Sequence, residues 1–229
     1  MTNRILSLVL LVLVLGCSTT GPVQRNGISD EAARFDFHWP SQPARRVDPA
    51  DYANIRNLLD SEKPMLALYR EDVTHQAVVD FFVNLTGTPE TALPMMYYAE
   101  REDISFSLVF SLTWVESRFD PKAVNRNATS IDRGLFQLNS LTFRSLTNED
   151  FFNIDVNAYH GIDYLSWCLE HTDDEYQAVA VYNAGLTRVR AGRTPQSTLI
   201  YVERIREYRA QLEEHFRRYI LSEFPSHTA

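Results

Sequence analysis

Cysteine and long apolar runs are both scarce in this chain. Only two of its 229 residues are cysteines, Cys17 and Cys168, so at most one intrachain disulfide could form. The apolar stretch 5–15 covers eleven residues and is interrupted by Ser7. An eleven-residue helix rises about 1.5 Å per residue and cannot cross a hydrocarbon core about 30 Å thick. The sequence therefore indicates neither a disulfide-stapled scaffold nor a membrane span at this stretch.

Positive charge is also in short supply. The chain has 22 Lys and Arg against 30 Asp and Glu, a formal net charge of −8. Phosphate binding needs a basic face, so nucleic acid is not an expected partner. A hydrophobic content of 45% and a charged content of 23% are typical of a folded protein, and the length suits one domain with an appendage.

The N-terminus has the pattern of a processing signal. A basic start at Met1–Arg4 precedes a short apolar core, which predicts a signal peptide over residues 1–16. The following Val-Leu-Gly-Cys resembles a bacterial lipobox and predicts cleavage before Cys17, with a lipid on that residue. Ser18 resembles the pattern of lipoproteins sent to the periplasmic face of the outer membrane rather than kept at the inner one. The alternative is an ordinary signal with a coincidental cysteine. Cys168, in an apolar helical context, is interpreted as a small core residue.

The rest of the chain divides into four segments. Residues 17–50 are rich in Ser, Pro, Gly and charge and are interpreted as a lipidated tether. Residues 51–87 have helical spacing and predict extra N-terminal helices, and residues 222–229 are a tail. Residues 88–221 form the predicted main domain, whose segment 104–117 is apolar on nearly every face, as a central buried helix would be. No run alternates long enough for a sizeable sheet, so the fold class is mainly α with room for one small β-hairpin.

Glu116 lies at the end of that apolar helix. Burial disfavours its charged form, and so does the partial negative charge of a helix C-terminus, so its pKa should rise. A protonated carboxyl at neutral pH is what glycosidic-bond cleavage needs to protonate the leaving oxygen. Taken alone, a glutamate at a helix end is more often a surface residue.

Two later segments offer amide side chains. In Gly-Leu-Phe-Gln-Leu-Asn, Leu135 to Leu138 are predicted to be extended, so Gln137 and Asn139 would point the same way toward sugar hydroxyl and N-acetyl groups. In Ala-Val-Tyr-Asn-Ala-Gly, a helix ends at a glycine after Tyr182 and Asn183. Each segment is a weak signal by itself, since the second could be a plain capping turn.

Taken in order, Glu-Ser, Gly-Leu-Phe-Gln and Tyr-Asn-Ala-Gly resemble the signature of the lysozyme-like lytic transglycosylases, which cut the glycan strands of bacterial peptidoglycan. Further similarity, at Gly161, Tyr164-Leu165 and Tyr201-Val202, extends it over about 130 residues from Ala92. The resemblance implies a goose-type lysozyme fold. It also implies that Glu116 is the sole catalytic acid and base. The implied substrate-binding residues are Ser117, Asn125, Gln137, Asn139, Tyr182 and Asn183.

Two positions depart from the commonest pattern of that family. Asn125 stands where many relatives have serine, and Asn139 where many have methionine. This version is similar to the small transglycosylases that accompany secretion and conjugation machines, so such envelope machinery is a candidate partner.

The motifs contain no second acid, although a retaining glycosidase ordinarily has one about 5 Å from the first. Asp120 and Asp132 are interpreted as loop residues, one before a proline and one in a turn. The family mechanism would then use the N-acetyl group of the substrate and end in a 1,6-anhydromuramoyl product. Neither a metal nor a cofactor is expected, because no motif for one is present. Two alternatives stay open: a goose-type lysozyme-like hydrolase of the same bond, and a non-catalytic peptidoglycan-binding lipoprotein.

Overall fold

The computed structural model describes Arg45 and residues 47–225. The predictions of a signal peptide, of a lipid on Cys17 and of most of the tether lie outside this part of the chain. Within it the protein is mainly helical, which confirms the predicted fold class. None of the helices in this part combines the length and the apolar character needed to cross a bilayer.

Within residues 47–225 the helices range in length from five residues to 28. The helices are α1 Pro49–Leu59, α2 Pro64–Tyr69, α3 His75–Thr86, α4 Pro89–Arg101, α5 Phe106–Ser117, α6 Asn148–Phe152, α7 Ile154–Glu170, α8 Glu175–Ala184, α9 Leu186–Arg190 and α10 Gln196–Glu223. The strands are β1 Val124–Arg126, β2 Ile131–Arg133 and β3 Leu138–Asn139.

Side chains of the preceding residues begin several of these helices. Asp48, Thr88, Asn153 and Asp174 each accept a backbone N–H of the first turn, in α1, α4, α7 and α8 respectively. Such caps satisfy donors that the helix itself leaves free, and each is worth about 1 kcal/mol. Local sequence therefore decides where these helices start.

Helix α5 lies at the centre of the fold, as its apolar sequence predicts. Every residue from Phe106 to Thr113 is buried. It packs against α10 along one side and against α4 and α2 along others. Because the surrounding helices hold it on several faces, its C-terminal end is a fixed point on which a reactive side chain can be placed.

The N-terminal helices share their core with the main domain. Phe81 and Phe82 of α3 are fully buried. The Phe81 ring meets Phe216 of α10 edge-on at 5.0 Å, and the Phe82 ring lies 4.1 Å from Phe110 of α5. A buried Phe side chain contributes about 1.5–3 kcal/mol. Removing residues 51–87 would therefore open the core behind α5 and not merely shorten the chain.

The sheet is larger than one hairpin, and the predicted extended segment is wrong at its start. Strands β1, β2 and β3 pair antiparallel in chain order, with Asn125 opposite Asp132 and Asp132 opposite Asn139. Residues 134–137 form a turn, with φ +77° at Gly134 and +46° at Gln137, and only Leu138–Asn139 are extended. The turn lets Leu135 and Phe136, which are neighbours in sequence, both be buried. An extended strand would have placed them on opposite faces.

Candidate active site

Glu116 is the second-last residue of α5, and the chain after it is tightly anchored. Arg118 and Phe119 both have left-handed backbone angles, φ 58° and 62°, which turn the chain sharply away from the helix axis. The Phe119 ring is buried 5.6 Å from the ring of Trp114, whose own face lies under the Arg118 guanidinium at 4.4 Å. Two strained residues held by packing are a rigid support for the side chain before them.

The carboxyl group of Glu116 has a partner from the far end of the chain. The Tyr201 hydroxyl on α10 donates a hydrogen bond of 2.5 Å to Glu116 Oε1. The pKa of Glu116 is raised to about 8, chiefly by burial; the Tyr201 hydrogen bond lowers this pKa, and the negative charge of Asp132 adds a smaller rise. Glu116 is therefore protonated at neutral pH and can act as a general acid, while Tyr201 favours the carboxylate that remains once the proton has left.

Beside Glu116 is a recess of about 250 Å³ where the sheet meets α7 and α8. Four of the six predicted substrate-binding residues line it: Gln137, Asn139, Tyr182 and Asn183. The other lining residues are Leu138, Thr142, Phe143, Tyr164, Ala184 and Gly185. Glu116 itself is not on this lining, but its charge acts on Tyr182, which is. Burial and then the Glu116 charge raise the pKa of Tyr182 well above its usual value.

The turn 134–137 is held against α7 and α8 by polar and steric contacts. Buried Asn157 accepts the Phe136 N–H at 2.9 Å and donates to the carbonyls of Arg133 and Phe151. Gly161 faces the Phe136 ring so closely that a Cβ there would lie 2.2 Å from Phe136 Cγ. A Cβ at Gly134 would likewise fall 2.3 Å from Asn157 Nδ2, so the start of the turn also lies close against α7.

The side chains of Gln137 and Asn139 line the recess, but their amide groups also form hydrogen bonds within the protein. Both N–H groups of Gln137 donate to backbone carbonyls, those of Ala123 at 3.2 Å and Gly134 at 2.9 Å. Asn139 donates to Ser130 at 2.8 Å and Asp132 at 2.6 Å, and its oxygen accepts the Leu141 N–H. Gln137 can therefore offer a substrate its Oε1 as an acceptor, whereas Asn139 mainly holds the wall of the recess.

The polar groups of Tyr182 and Asn183 are also partly used in hydrogen bonds within the protein. The Tyr182 hydroxyl donates to the Phe136 carbonyl at 2.9 Å, so toward a sugar it presents its ring and an oxygen lone pair. Asn183 Oδ1 accepts from Thr198 at 2.7 Å, which aims the side chain and leaves its N–H₂ group to donate. The Tyr182 ring also contacts that of Tyr164 at 5.2 Å, forming an aromatic wall.

Ser117 and Asn125 lie away from the recess. Ser117 is buried and its hydroxyl donates back to the Thr113 carbonyl of its own helix at 3.2 Å. Asn125 is exposed on β1 and donates weakly, at 3.4 Å, to Asp132 Oδ2. Cys168 is buried, which confirms its core interpretation, and burial raises the pKa of its thiol to about 12.

Two residues of the site had no assigned role in the sequence. Tyr201 appeared only as part of the similarity of the last helix, and nothing in the pattern pairs it with Glu116 across 85 positions. Asn157 lies on the buried side of α7, where an uncompensated polar side chain would be costly. A buried asparagine in an otherwise apolar helical stripe is the signal that could have identified it.

A second cavity, about 720 Å³, lies between the α1–α2 connection, α8 and α10. Charged side chains line much of it, among them Arg209, which hydrogen bonds Glu213 at 2.9 Å. It is larger than the recess beside Glu116 but is lined by none of the predicted site residues. Size alone would thus point to the wrong surface.

A protonated glutamic acid at the end of a buried helix, beside a recess lined by aromatic rings and amides, is an arrangement that suits acid-catalysed cleavage of a glycan. Residues 94–200 match the family model of the transglycosylase SLT domain. The chain carries this domain and is a lytic transglycosylase that acts on peptidoglycan, which confirms the family and enzyme class predicted from the motifs. No curated protein and no solved structure matches the chain.

Proposed function

We propose that this protein cleaves the β-1,4 bond between N-acetylmuramic acid and N-acetylglucosamine and leaves a 1,6-anhydromuramoyl end. The observation that carries the proposal is the state of Glu116, a single carboxyl with a pKa raised to about 8 beside the recess. A residue protonated at neutral pH can give its proton to the bridging oxygen.

The reaction then proceeds in two proton transfers by the same carboxyl. Glu116 protonates the glycosidic oxygen, the bond from C1 to that oxygen breaks, and positive charge develops on the muramoyl ring. The Glu116 carboxylate next takes the proton of the C6 hydroxyl as O6 bonds to C1, which closes the anhydro ring and restores the acid. No water is consumed. The hydrogen bond that Tyr201 donates to Oε1 stabilises the Glu116 carboxylate between the two proton transfers.

The recess supplies groups that suit an amino sugar. Gln137 Oε1 can accept from a hydroxyl or N-acetyl N–H, and the Asn183 amide can donate to an N-acetyl carbonyl. The Tyr182 and Tyr164 rings offer apolar faces to the sugar. Holding the ring in one orientation is what lets O6, and not water, reach C1.

Digestion of purified sacculi tests this function. We expect products one water lighter than hydrolytic muropeptides and resistant to borohydride reduction, because no free reducing end remains. Glu116→Gln, which is nearly isosteric, should abolish release with the circular-dichroism spectrum unchanged. Dominant reducible products would instead identify a hydrolase on the same scaffold, and activity retained by the folded variant would remove Glu116 from the mechanism.

We also propose that a lipid on Cys17 anchors the enzyme at the periplasmic face of the outer membrane. The lipobox-like residues before Cys17 and the serine after it support this location. The similarity to transglycosylases that accompany secretion and conjugation machines supports an envelope partner. An anchored enzyme would act on the glycan strands within reach of its tether.

A further inference from the structure

A cavity of about 450 Å³ adjoins the recess where α8 ends, and we call it the α9 cavity. Ala184 and Gly185 line both the recess and this cavity, so the two spaces are neighbours. The other lining residues belong to α9 and the turn after it: Leu186, Thr187, Arg188 and Arg193. A substrate held in the recess therefore has the α9 cavity next to it.

The backbone brings the two arginines of the α9 cavity together. The Arg193 N–H donates to the Arg188 carbonyl at 3.0 Å, and Gly192, with φ +64°, turns the chain between them. Both side chains line the same small space as a result. Two positive charges placed together repel each other, and an anion bound between them removes that repulsion.

No acidic side chain supplies that anion within the described residues. None of the ion pairs there includes Arg188 or Arg193, although the chain carries 30 Asp and Glu. The arginine between them is used differently, since Arg190 donates to the His171 carbonyl at 3.1 Å and does not line the cavity. Two arginines without a carboxylate partner, beside a substrate recess, indicate an anion that arrives with the substrate.

Peptidoglycan brings carboxylates close to the muramoyl ring. Each ring bears a lactyl group that is linked to a peptide stem, and the free carboxylates of that stem are ionised at neutral pH. The lactyl carboxyl itself is uncharged in an intact strand, because it forms the amide bond to the stem. A guanidinium group binds a carboxylate through paired N–H donors in a fixed geometry, so arginine suits this ligand better than lysine does.

We propose that Arg188 and Arg193 bind a carboxylate of the peptide stem, so that the enzyme selects glycan strands that carry stems. The inference rests on the proposed function, since the muramoyl ring must occupy the recess for its stem to reach the α9 cavity. The two arginines contact the stem alone and take no part in breaking the glycosidic bond. Their contribution is the same in the bound substrate and in the transition state, so losing it raises KM and leaves kcat unchanged.

The test compares two substrates: glycan strands freed from sacculi by an endopeptidase, which keep their stems, and the same strands stripped of stems by an amidase. The rate is counted as glycosidic bonds broken, whichever kind of end they leave. In the double variant Arg188→Gln with Arg193→Gln, the ratio of kcat/KM for stem-bearing over stripped strands should fall about tenfold, as expected when two exposed charge pairs are lost together. The fall should lie in KM. Added salt should lower the ratio of the unmodified enzyme toward that of the variant, because salt screens exposed charges.

The matched control is Arg190→Gln, which removes the same charge from the same helix but from outside the α9 cavity. Its ratio should equal that of the unmodified enzyme. An unchanged ratio in the double variant, or the same fall in Arg190→Gln, overturns the proposal. An equal loss on both substrates also overturns it, because stripped strands keep only the lactyl carboxylate and the arginines would then act on that group or on the ring.

The proposed function fails on a different result. Inactivity of Glu116→Gln together with an unchanged ratio in the double variant would end this inference alone. Reducible ends in the products would change the proposed reaction and leave the ratio as a measure of stem selection.

Discussion

Two groups near Glu116 shift its pKa in opposite directions. Burial and the Asp132 charge keep it neutral, and the Tyr201 hydroxyl stabilises its anion. An acid that must later serve as a base needs both influences, because a carboxyl that is only desolvated would give up its proton reluctantly and one that is only hydrogen-bonded would lose it too early. The balance between Asp132 and Tyr201 thus suits a single residue doing both steps.

This arrangement should cost stability, and the cost should depend on pH. The pKa of Glu116 is about 8 in the fold against an ordinary value of 4.5. Between these values the unfolded chain ionises while the folded one does not, so stability falls as pH rises through this window. Glu116→Gln cannot ionise and escapes the loss. We expect the variant to be more stable than the unmodified protein by about 4 kcal/mol at pH 8.

Urea unfolding followed by tryptophan fluorescence at pH 4 and pH 8 measures this difference. At pH 4 the two proteins should have nearly equal free energies of unfolding, since Glu116 is then largely protonated in both the folded and the unfolded state. A stability difference that is the same at both pH values would mean that Glu116 is not forced to stay neutral by the fold.

At the level of elements, the site depends on how one turn meets one helix. Phe136 is held by three contacts. Its N–H donates to Asn157, its carbonyl accepts from the Tyr182 hydroxyl, and its ring packs closely against Gly161, which has no side chain. Its carbonyl and N–H are both used, so the turn carrying Gln137 has little freedom. Precision in the recess therefore comes from contacts outside the motif itself.

Gly161→Ala tests this contact. In an ordinary helix the change stabilises by up to about 1 kcal/mol. Here the added Cβ would lie 2.2 Å from Phe136 Cγ, close to a backbone that cannot swing aside, so we expect a loss of about 1–3 kcal/mol instead. Activity should fall with it, because Gln137 moves with the turn. Denaturant unfolding and sacculus digestion measure the two effects.

The control is Asp163→Ala on the exposed side of the same helix, which should change stability by no more than about 0.5 kcal/mol. If Gly161→Ala were as stable and active as that control, Phe136 would not be fixed by close packing.

The sequence predicted helices better than strands, for reasons visible in this turn. Helices such as α5 span three turns and repeat their apolar pattern, whereas β3 has two residues and offers no alternation to detect. Gln137 adopts a positive φ, which glutamine rarely signals, so the segment looked extended. Glu116 could be proposed because the motifs that follow it along the chain complete a recognisable signature. Tyr201 could not, since its role exists only once α10 crosses α5.

On the scale of the whole molecule, we expect the proposed anchoring to be separable from catalysis. The first described helix begins at Pro49, and the proposed lipid site at Cys17 lies well before it in the sequence. A change at Cys17 therefore removes no described contact of the active site.

Cys17→Ser should move the protein from the membrane fraction to the soluble periplasmic fraction while muropeptide release from isolated sacculi stays unchanged. Cell fractionation and mass analysis of the lipid-bearing peptide measure the outcome. Continued membrane retention of the serine variant would point to a protein partner or an uncleaved signal, and would end the lipid proposal without touching Glu116.

The two ends of the described chain meet. The Arg45 N–H donates to the Glu223 carbonyl at 2.8 Å, and the Arg45 guanidinium lies 3.4 Å from Asp80 Oδ2. Because the two ends of the described residues are neighbours in space, they could be joined and the chain opened at another place. A chain opened at the exposed turn around Gly192 and joined where Arg45 meets Glu223 would pass through the same neighbours in a rotated order. The active site therefore depends on which residues lie close together in space and not on the order in which the three motifs follow one another along the chain.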